Sequence, residues 1–278
     1  MALPIAAVTA GAAGATKGSG PVTVLYAGSL VNLMRTEVDG AFQRATGYKV
    51  TGISGGSTAL AQEIKGGVYR ADVFISAAPS SNKLIEGKTG GDWVTWYLTF
   101  ATSPLLLGYN PSGKFVKTIK TEPWWKVITK PGFLVGRTNP VTDPKGRLVV
   151  EAVDQTSKRM HDPSLKSIVL EPTDIFPETA MVGRLQAGEL DAGFFFKVEA
   201  TAGHIPTVPL AGVKEHATYT ITVVARAPHA RAADAFVSYM VGGKAEALLE
   251  KDGLSELRPP VLTGSRSEVP RSLRKDVK

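Results

Sequence analysis

VTVLYAGSLVNLMRTEVDGAFQRATGYKVTGISGGSTALAQEIKGGVYRADVFIS, residues Val22 to Ser76, decides the fold class. The apolar run Val22 to Ala27 reads as a buried strand. Ser29 follows where a helix N-cap would stand, ahead of a helix with Leu30, Leu33, Met34, Val38 and Phe42 on one face. Gly47 ends that helix. Tyr48 to Ile53 reads as a second strand, and Ser57 stands in the cap position of a second helix carrying Leu60, Ala61 and Ile64. Ala71 to Ser76 is a third strand, with a short helix expected around Ser81 to Glu86. Strands and helices alternating at this spacing predict an α/β fold with a parallel sheet covered by helices.

Outward from this core, Thr95 to Tyr109 is long and apolar but contains Pro104. A proline argues against one uninterrupted central strand, so Phe100 to Pro104 is expected to be a crossing into a second lobe. Further strands are predicted at Phe133 to Gly136, Leu190 to Phe196 and Tyr219 to Ala225. Helices are predicted from Arg147 to Lys158, Glu178 to Gln186, Ala230 to Val241 and Ala245 to Lys251. The apolar faces of the last two, with Phe236, Tyr239, Met240 and Leu249, suit packing back onto the first unit.

The expected division is therefore 1–20 as an export-signal remnant or disordered leader, 21–100 as lobe 1 and 101–216 as lobe 2. Residues 217–263 return to lobe 1, and 264–278 form a basic C-terminal tail, read as a solvated, poorly ordered end. A chain that leaves one α/β unit, builds another and returns has a cleft between the two.

The 278 residues are long enough for about two domains. With 43% hydrophobic and 21% charged residues, the composition excludes a disordered chain and a membrane protein. The formal charge of 32 − 25 = +7 suits an anionic partner. The body of the chain lacks the dense basic runs that grip nucleic acid, so no nucleic-acid partner is expected. The absence of cysteine removes disulfides, thiolate metal sites, cysteine nucleophiles and, in this chain, a lipid-anchoring cysteine. His161, His204, His216 and His229 form no close pair, so neither a free metal cation nor a cofactor is expected.

Two loops share one design. In Ala27-Gly28-Ser29-Leu30 and Ser54-Gly55-Gly56-Ser57-Thr58, small residues join a strand to a helix that begins at a serine. Glycine admits a ligand close to the backbone, and a helix start offers free N–H donors to an anion. Each serine is read either as a helix cap or as an oxyanion donor. The pair, placed where α/β sheets bind ligands, favours the second. The loop Asn139 to Gly146 (NPVTDPKG) has two readings of equal weight: an Asx-type turn at Asp143, or a third ligand loop with N–H groups near Lys145. Gly52-Ile53-Ser54-Gly55-Gly56 also fits the G-x-S-x-G pattern of serine hydrolases. That reading needs Ser54 at a strand-to-helix elbow, with Asp191 and His216 or His229 as partners.

VLYAGSL (24–30), SGGSTALAQEI (54–64), ADVFISA (71–77), GRTNPVTDPKG (136–146) and AGELDAGFFF (187–196) together resemble the periplasmic molybdate/tungstate-binding proteins of ABC importers. The resemblance runs from about Val22 to Gly253, and AGSL and NPxxDPxG are closest to the branch found in archaea and some bacteria. It implies a two-lobed periplasmic-binding-protein fold of type II, with mixed sheets flanked by helices. The implied protein is non-enzymatic, exported and monomeric; it captures a small oxyanion and hands it to a membrane permease. Ser29 and Ser57 would donate hydroxyl and backbone N–H groups, joined by N–H groups near Lys145 and Glu178. Phe196 falls where the family usually has a pocket tyrosine. In this branch the aspartate matching Asp143 and a glutamate in the later strand approach the metal of the anion. Here the glutamate's place is taken by Phe195, leaving Ser29, Ser57 and Asp143 as the groups nearest the metal. The Glu178 side chain is read as complementing its helix start, with a replacement carboxylate as the alternative. Sulfate or another tetrahedral oxyanion is the alternative ligand.

Overall fold

The computed structural model describes residues 18–274 and 277–278, so the expected leader lies outside the described residues except for its last three. Three parallel strands form the start of the sheet: β1 (Pro21–Ala27), β2 (Lys49–Gly55) and β3 (Val73–Ser76). β1 lies between the other two, with Ala27 opposite Gly55 and Tyr26 opposite Ile75. The carboxyl ends of all three strands therefore share one edge, and the loops that leave them at Gly28, Gly56 and Ala77 emerge side by side. Such an edge is where open α/β sheets bind ligands.

The helix after β1 opens as a 3₁₀ turn, Gly28–Leu30, and passes through a π-helical stretch, Met34–Val38, before ending as Asp39–Thr46. Gly47 closes it in the left-handed region (φ 87°), its N–H donated to the Gln43 carbonyl. Leu30, Leu33, Met34, Val38 and Phe42 are all buried, as their spacing predicts.

β4 (Trp96–Tyr109) corrects the expectation raised by Pro104, because it is one continuous 14-residue strand. Its first part pairs with β8 (His216–Val223) and its second with β6 (Ala192–Phe196). Pro104 stands opposite His216, the last residue paired with β8, and Leu105 opposite Phe196, the first paired with β6. At this handover the missing N–H breaks no ladder, which is why the proline is tolerated. One strand thus links the two lobes.

In lobe 2, β5 (Val135–Gly136) lies parallel to β6, and β7 (Thr207–Pro209) pairs with β4. β8 carries the chain back between β3 and β4, completing the mixed order β2-β1-β3-β8-β4-β6-β5. The last strand, β9 (Ser255–Gly264), was not anticipated; it pairs antiparallel with β4. The basic tail is also corrected. Val269, Leu273 and Val277 are buried, Lys278 N–H bonds the Pro260 carbonyl, and Arg274 Nε donates to the Val269 carbonyl. Three apolar side chains in a charged sequence are enough to seat it. Among the described residues no helix is long and apolar enough to cross a membrane.

Candidate functional site

Neither serine is a helix cap. Ser29 sits inside the Gly28–Leu30 turn without a capping bond, and its Oγ lies 2.9 Å from the Tyr219 hydroxyl. Helix Ser57–Lys65 has Gly56 as its N-cap, so Ser57 is the first helical residue. Ser57 Oγ instead accepts the Ala77 N–H at 3.0 Å. Both hydroxyls are buried and held by groups from other strands of the sheet, β8 in one case and the end of β3 in the other. The cap reading fails at both positions.

Across the cleft, Asp143 does cap helix Pro144–Met160, its Oδ1 accepting the Lys145 N–H at 2.8 Å. This corrects the role expected of that N–H, which is consumed by the cap. The turn reading and the site reading of Asp143 are compatible, because its second oxygen stays free. Asp143 Oδ2, Thr138 Oγ1 and both carboxylate oxygens of Glu178 are buried without a hydrogen-bond partner. Buried polar atoms are rarely left so, and four of them converging on one place mark a site.

The segment that carries Glu178 is anchored by Arg137. Its backbone exchanges bonds with Asp174 and Phe176, and its buried guanidinium donates to the carbonyls of Val169, Leu170 and Glu171. These carbonyls end helix Ser164–Val169, where a cation is favoured. Arg137 thereby sets the spacing between the wall at Thr138 and Asn139 and the wall at Ile175 to Thr179.

Behind the two carboxylates lies a buried cation. Lys145 Nζ bonds both oxygens of Glu199, at 3.0 and 2.7 Å, and stands 3.5 Å from Glu178 Oε1. It also faces the rings of Phe195 and Phe196 at 5.7 and 5.9 Å. Burial opposes its charge, but Glu199, Glu178 and Asp143 together outweigh that and raise its pKa. Burial likewise raises the Asp143 and Glu199 carboxyls despite Lys145. Glu178 is pushed furthest up the scale, by burial and then by the charge of Asp143.

Between these groups is a cavity of about 340 Å³ lined by Gly55, Gly56, Thr138, Asn139, Thr142 and Asp143 with the segment Ile175 to Thr179. The lobes touch around it. Ala59 N–H donates to the Thr142 carbonyl at 3.1 Å, and Gly56 lies so near that a methyl group there would fall 2.5 Å from Thr142 O. Gly28 is equally close to Glu178. Phe196 is fully buried in β6, its ring edge-on to Tyr219 at 6.3 Å; it is not among the residues that line the cavity. Of the residues that the sequence singled out, Asp143 and Glu178 line this cavity. Ser29, Ser57 and Lys145 are buried next to it and, like Phe196, are not among its lining residues. Ser57 follows the lining Gly56, Ser29 follows Gly28 under Glu178, and Lys145 lies 3.5 Å from Glu178 Oε1.

Sequence reasoning missed Tyr219, Glu199, Thr138 and Arg137. The alternation in YTITVVA placed Tyr219 on a strand but not on the site's side. Lys197-Val198-Glu199-Ala200 has no feature that marks a buried acid.

The hydrolase reading does not survive. Ser54 lies within β2 rather than at a strand-to-helix elbow. Asp191 accepts the Leu134 N–H, His216 Nδ1 meets the Lys214 carbonyl, and His229 pairs with Asp72. Among the described residues no three of His, Asp and Glu gather to hold a free metal ion.

Known proteins share this architecture. A periplasmic molybdate-binding protein of Azotobacter vinelandii superposes with a TM-score of 0.67 at 21% identity, covering 84% of this chain and 98% of that one. A sulfate-binding protein of Mycobacterium tuberculosis gives 0.58 at 18% identity, over 86% and 88%. In sequence, a putative ABC transporter molybdenum-binding protein of Haloferax volcanii is 27% identical over 73% of this chain and 63% of its own length. A molybdate/tungstate-binding protein of Pyrococcus abyssi is 20% identical over 88% and 87%. Residues 22–255 match the bacterial extracellular solute-binding protein family, a span that takes in both lobes and every residue of the cleft, and the chain belongs to that family.

Proposed function

We propose that this protein captures molybdate or tungstate between its lobes outside the cytoplasm and delivers it to the permease of an ABC importer, without catalysing a reaction. The observation that carries this reading is the convergence of two glycine-serine chain ends from lobe 1 with Asp143 and Glu178 from lobe 2. The named relatives from Haloferax and Pyrococcus support it. An anion touching both lobes stabilises the closed form by whatever it gains from the second lobe. Ser29 and Ser57 supply hydroxyl donors from lobe 1. The free oxygens of Asp143 and Glu178 repel a simple dianion unless they carry protons. A molybdenum or tungsten centre can instead accept a carboxylate oxygen as an added ligand, which sulfur in sulfate cannot.

The second reading is a carrier of sulfate or another tetrahedral oxyanion, since the same hydroxyl donors suit any of them. Titration calorimetry with molybdate, tungstate, sulfate and phosphate in parallel separates the two. The proposal expects molybdate and tungstate to bind far more tightly, and tighter sulfate binding overturns the ligand. Ser57→Ala should cost about 1–3 kcal/mol of molybdate affinity. Unchanged dissociation constants for both Ser29→Ala and Ser57→Ala would remove this site.

A further inference from the structure

Tyr219 is fully buried on β8, packed against Phe100 at 6.4 Å and Phe196 at 6.3 Å between ring centroids. Its hydroxyl has a single hydrogen-bond partner among the described residues, Ser29 Oγ at 2.9 Å. Two directions are open to that bond. If Ser29 donated, the phenol proton would be left buried among aromatic rings without an acceptor, a loss of about 1–3 kcal/mol. If Tyr219 donates, its proton is satisfied and the serine keeps its own O–H for another acceptor. Burial holds the phenol pKa well above its ordinary value, so the proton needed for donation stays in place.

Ser57 shows the same polarity by a different route. Its Oγ is bonded by the Ala77 N–H, a group that can only donate. One lone pair of Ser57 is therefore occupied by a backbone amide, and donation from Tyr219 would occupy one of Ser29 in the same way.

We propose that Tyr219 is a positioning residue of the binding site: its hydroxyl donates to Ser29 Oγ and so turns the Ser29 O–H outward as a donor to the bound oxyanion. This rests on the oxyanion-capture reading, and it names a residue on β8 that acts through Ser29 rather than through its own contact with the ligand. A hydroxyl with its lone pair already engaged has fewer orientations to lose on binding than a free rotor, and a polarised donor is a stronger one.

The test is a double-mutant cycle in the full chain with molybdate as probe, using Tyr219→Phe, Ser29→Ala and the double variant. Tyr219→Phe should weaken binding about threefold to tenfold, the range of one neutral hydrogen bond. The same change in the Ser29→Ala background should have no effect. Equal affinity of Tyr219→Phe and the unsubstituted protein overturns the proposal. A full Tyr219→Phe loss persisting without the Ser29 hydroxyl also overturns it, because Tyr219 would then contact the anion itself.

A ligand-free readout separates this from failure of the ligand assignment. In ¹³C-tyrosine-labelled protein, Ser29→Ala should shift the Tyr219 Cζ resonance and expose its hydroxyl proton to faster exchange. An unchanged resonance overturns the hydrogen bond even if Tyr219→Phe does not fold. Absence of molybdate binding by the unsubstituted protein would instead strike the capture reading.

Discussion

The Glu178 carboxylate lies directly over Gly28: a methyl group on that glycine would fall 2.5 Å from Oε2 and 2.9 Å from Cδ. The side chain of lobe 2 fills the space where the lobe 1 loop has none. This is a close approach that only glycine allows. Gly28→Ala should push the carboxylate away or part the lobes, and cost about 1–3 kcal/mol of affinity through overpacking. Molybdate calorimetry and small-angle scattering of the ligand-bound protein check both effects. Unchanged affinity and compactness would show that Glu178 adjusts freely.

Gly56 makes a harder contact, because the neighbour is backbone. A Cβ there would sit 2.5 Å from Thr142 O and 3.2 Å from the Asp143 Cβ, and neither can rotate aside. Gly56→Ala should therefore hold the cleft open and break the bond from Ala59 N–H to Thr142 O. The expected outcome is lost binding with little change in thermal unfolding, since neither lobe's own core is touched. Hydrogen exchange at Ala59 should rise.

The Lys145–Glu199 pair is fully buried, which makes single substitutions costlier than double ones. Lys145→Met leaves Glu199 as an uncompensated buried charge and should destabilise by about 3–5 kcal/mol. Adding Glu199→Gln should recover much of that loss. Urea unfolding of Lys145→Met, Glu199→Gln and the double variant measures it, and additive losses would contradict a paired role.

Stability of the ligand-free protein should fall as pH rises. Glu178, raised well above its ordinary 4.5, holds a proton in the folded state that the unfolded chain has already released. Its favourable contribution is therefore complete below about pH 4.5 and is lost as pH rises from there through the folded pKa. Asp143 and Glu199 act in the same direction from their own ordinary values. Lys145, raised in pKa, stays charged throughout this range and adds no slope. The urea midpoint should be lower at about pH 8 than at about pH 4.5, and Glu178→Gln should flatten the difference.

Much of this architecture was legible in short periods of the sequence. The strands and helices from Val22 to Ser76 follow their apolar spacing, because burial along one face is a local constraint that neighbours in sequence satisfy together. Gly47 marked its helix end for the same reason. Pro104 misled, because the rule against proline in a central strand assumes one ladder on each side along its whole length. β4 instead changes partner at that residue. The tail misled because charge dominates its composition, while Val269, Leu273 and Val277 decide its packing.

The sequence by itself determined the α/β alternation and the two glycine-serine loops. It marked Asp143 as a turn or ligand loop, while placing the following helix at Arg147 rather than at Pro144, where it begins. Each depends on residues within a few positions of one another. Only the tertiary structure decided that Ser29 meets Tyr219, 190 positions away, and that Lys145 meets Glu199 rather than offering its N–H. It also decided that Glu178 crosses the cleft to Gly28. Those pairings come from which strands the sheet places side by side and how far the lobes close, and hydrogen bonds between distant strands leave no periodic trace along the chain.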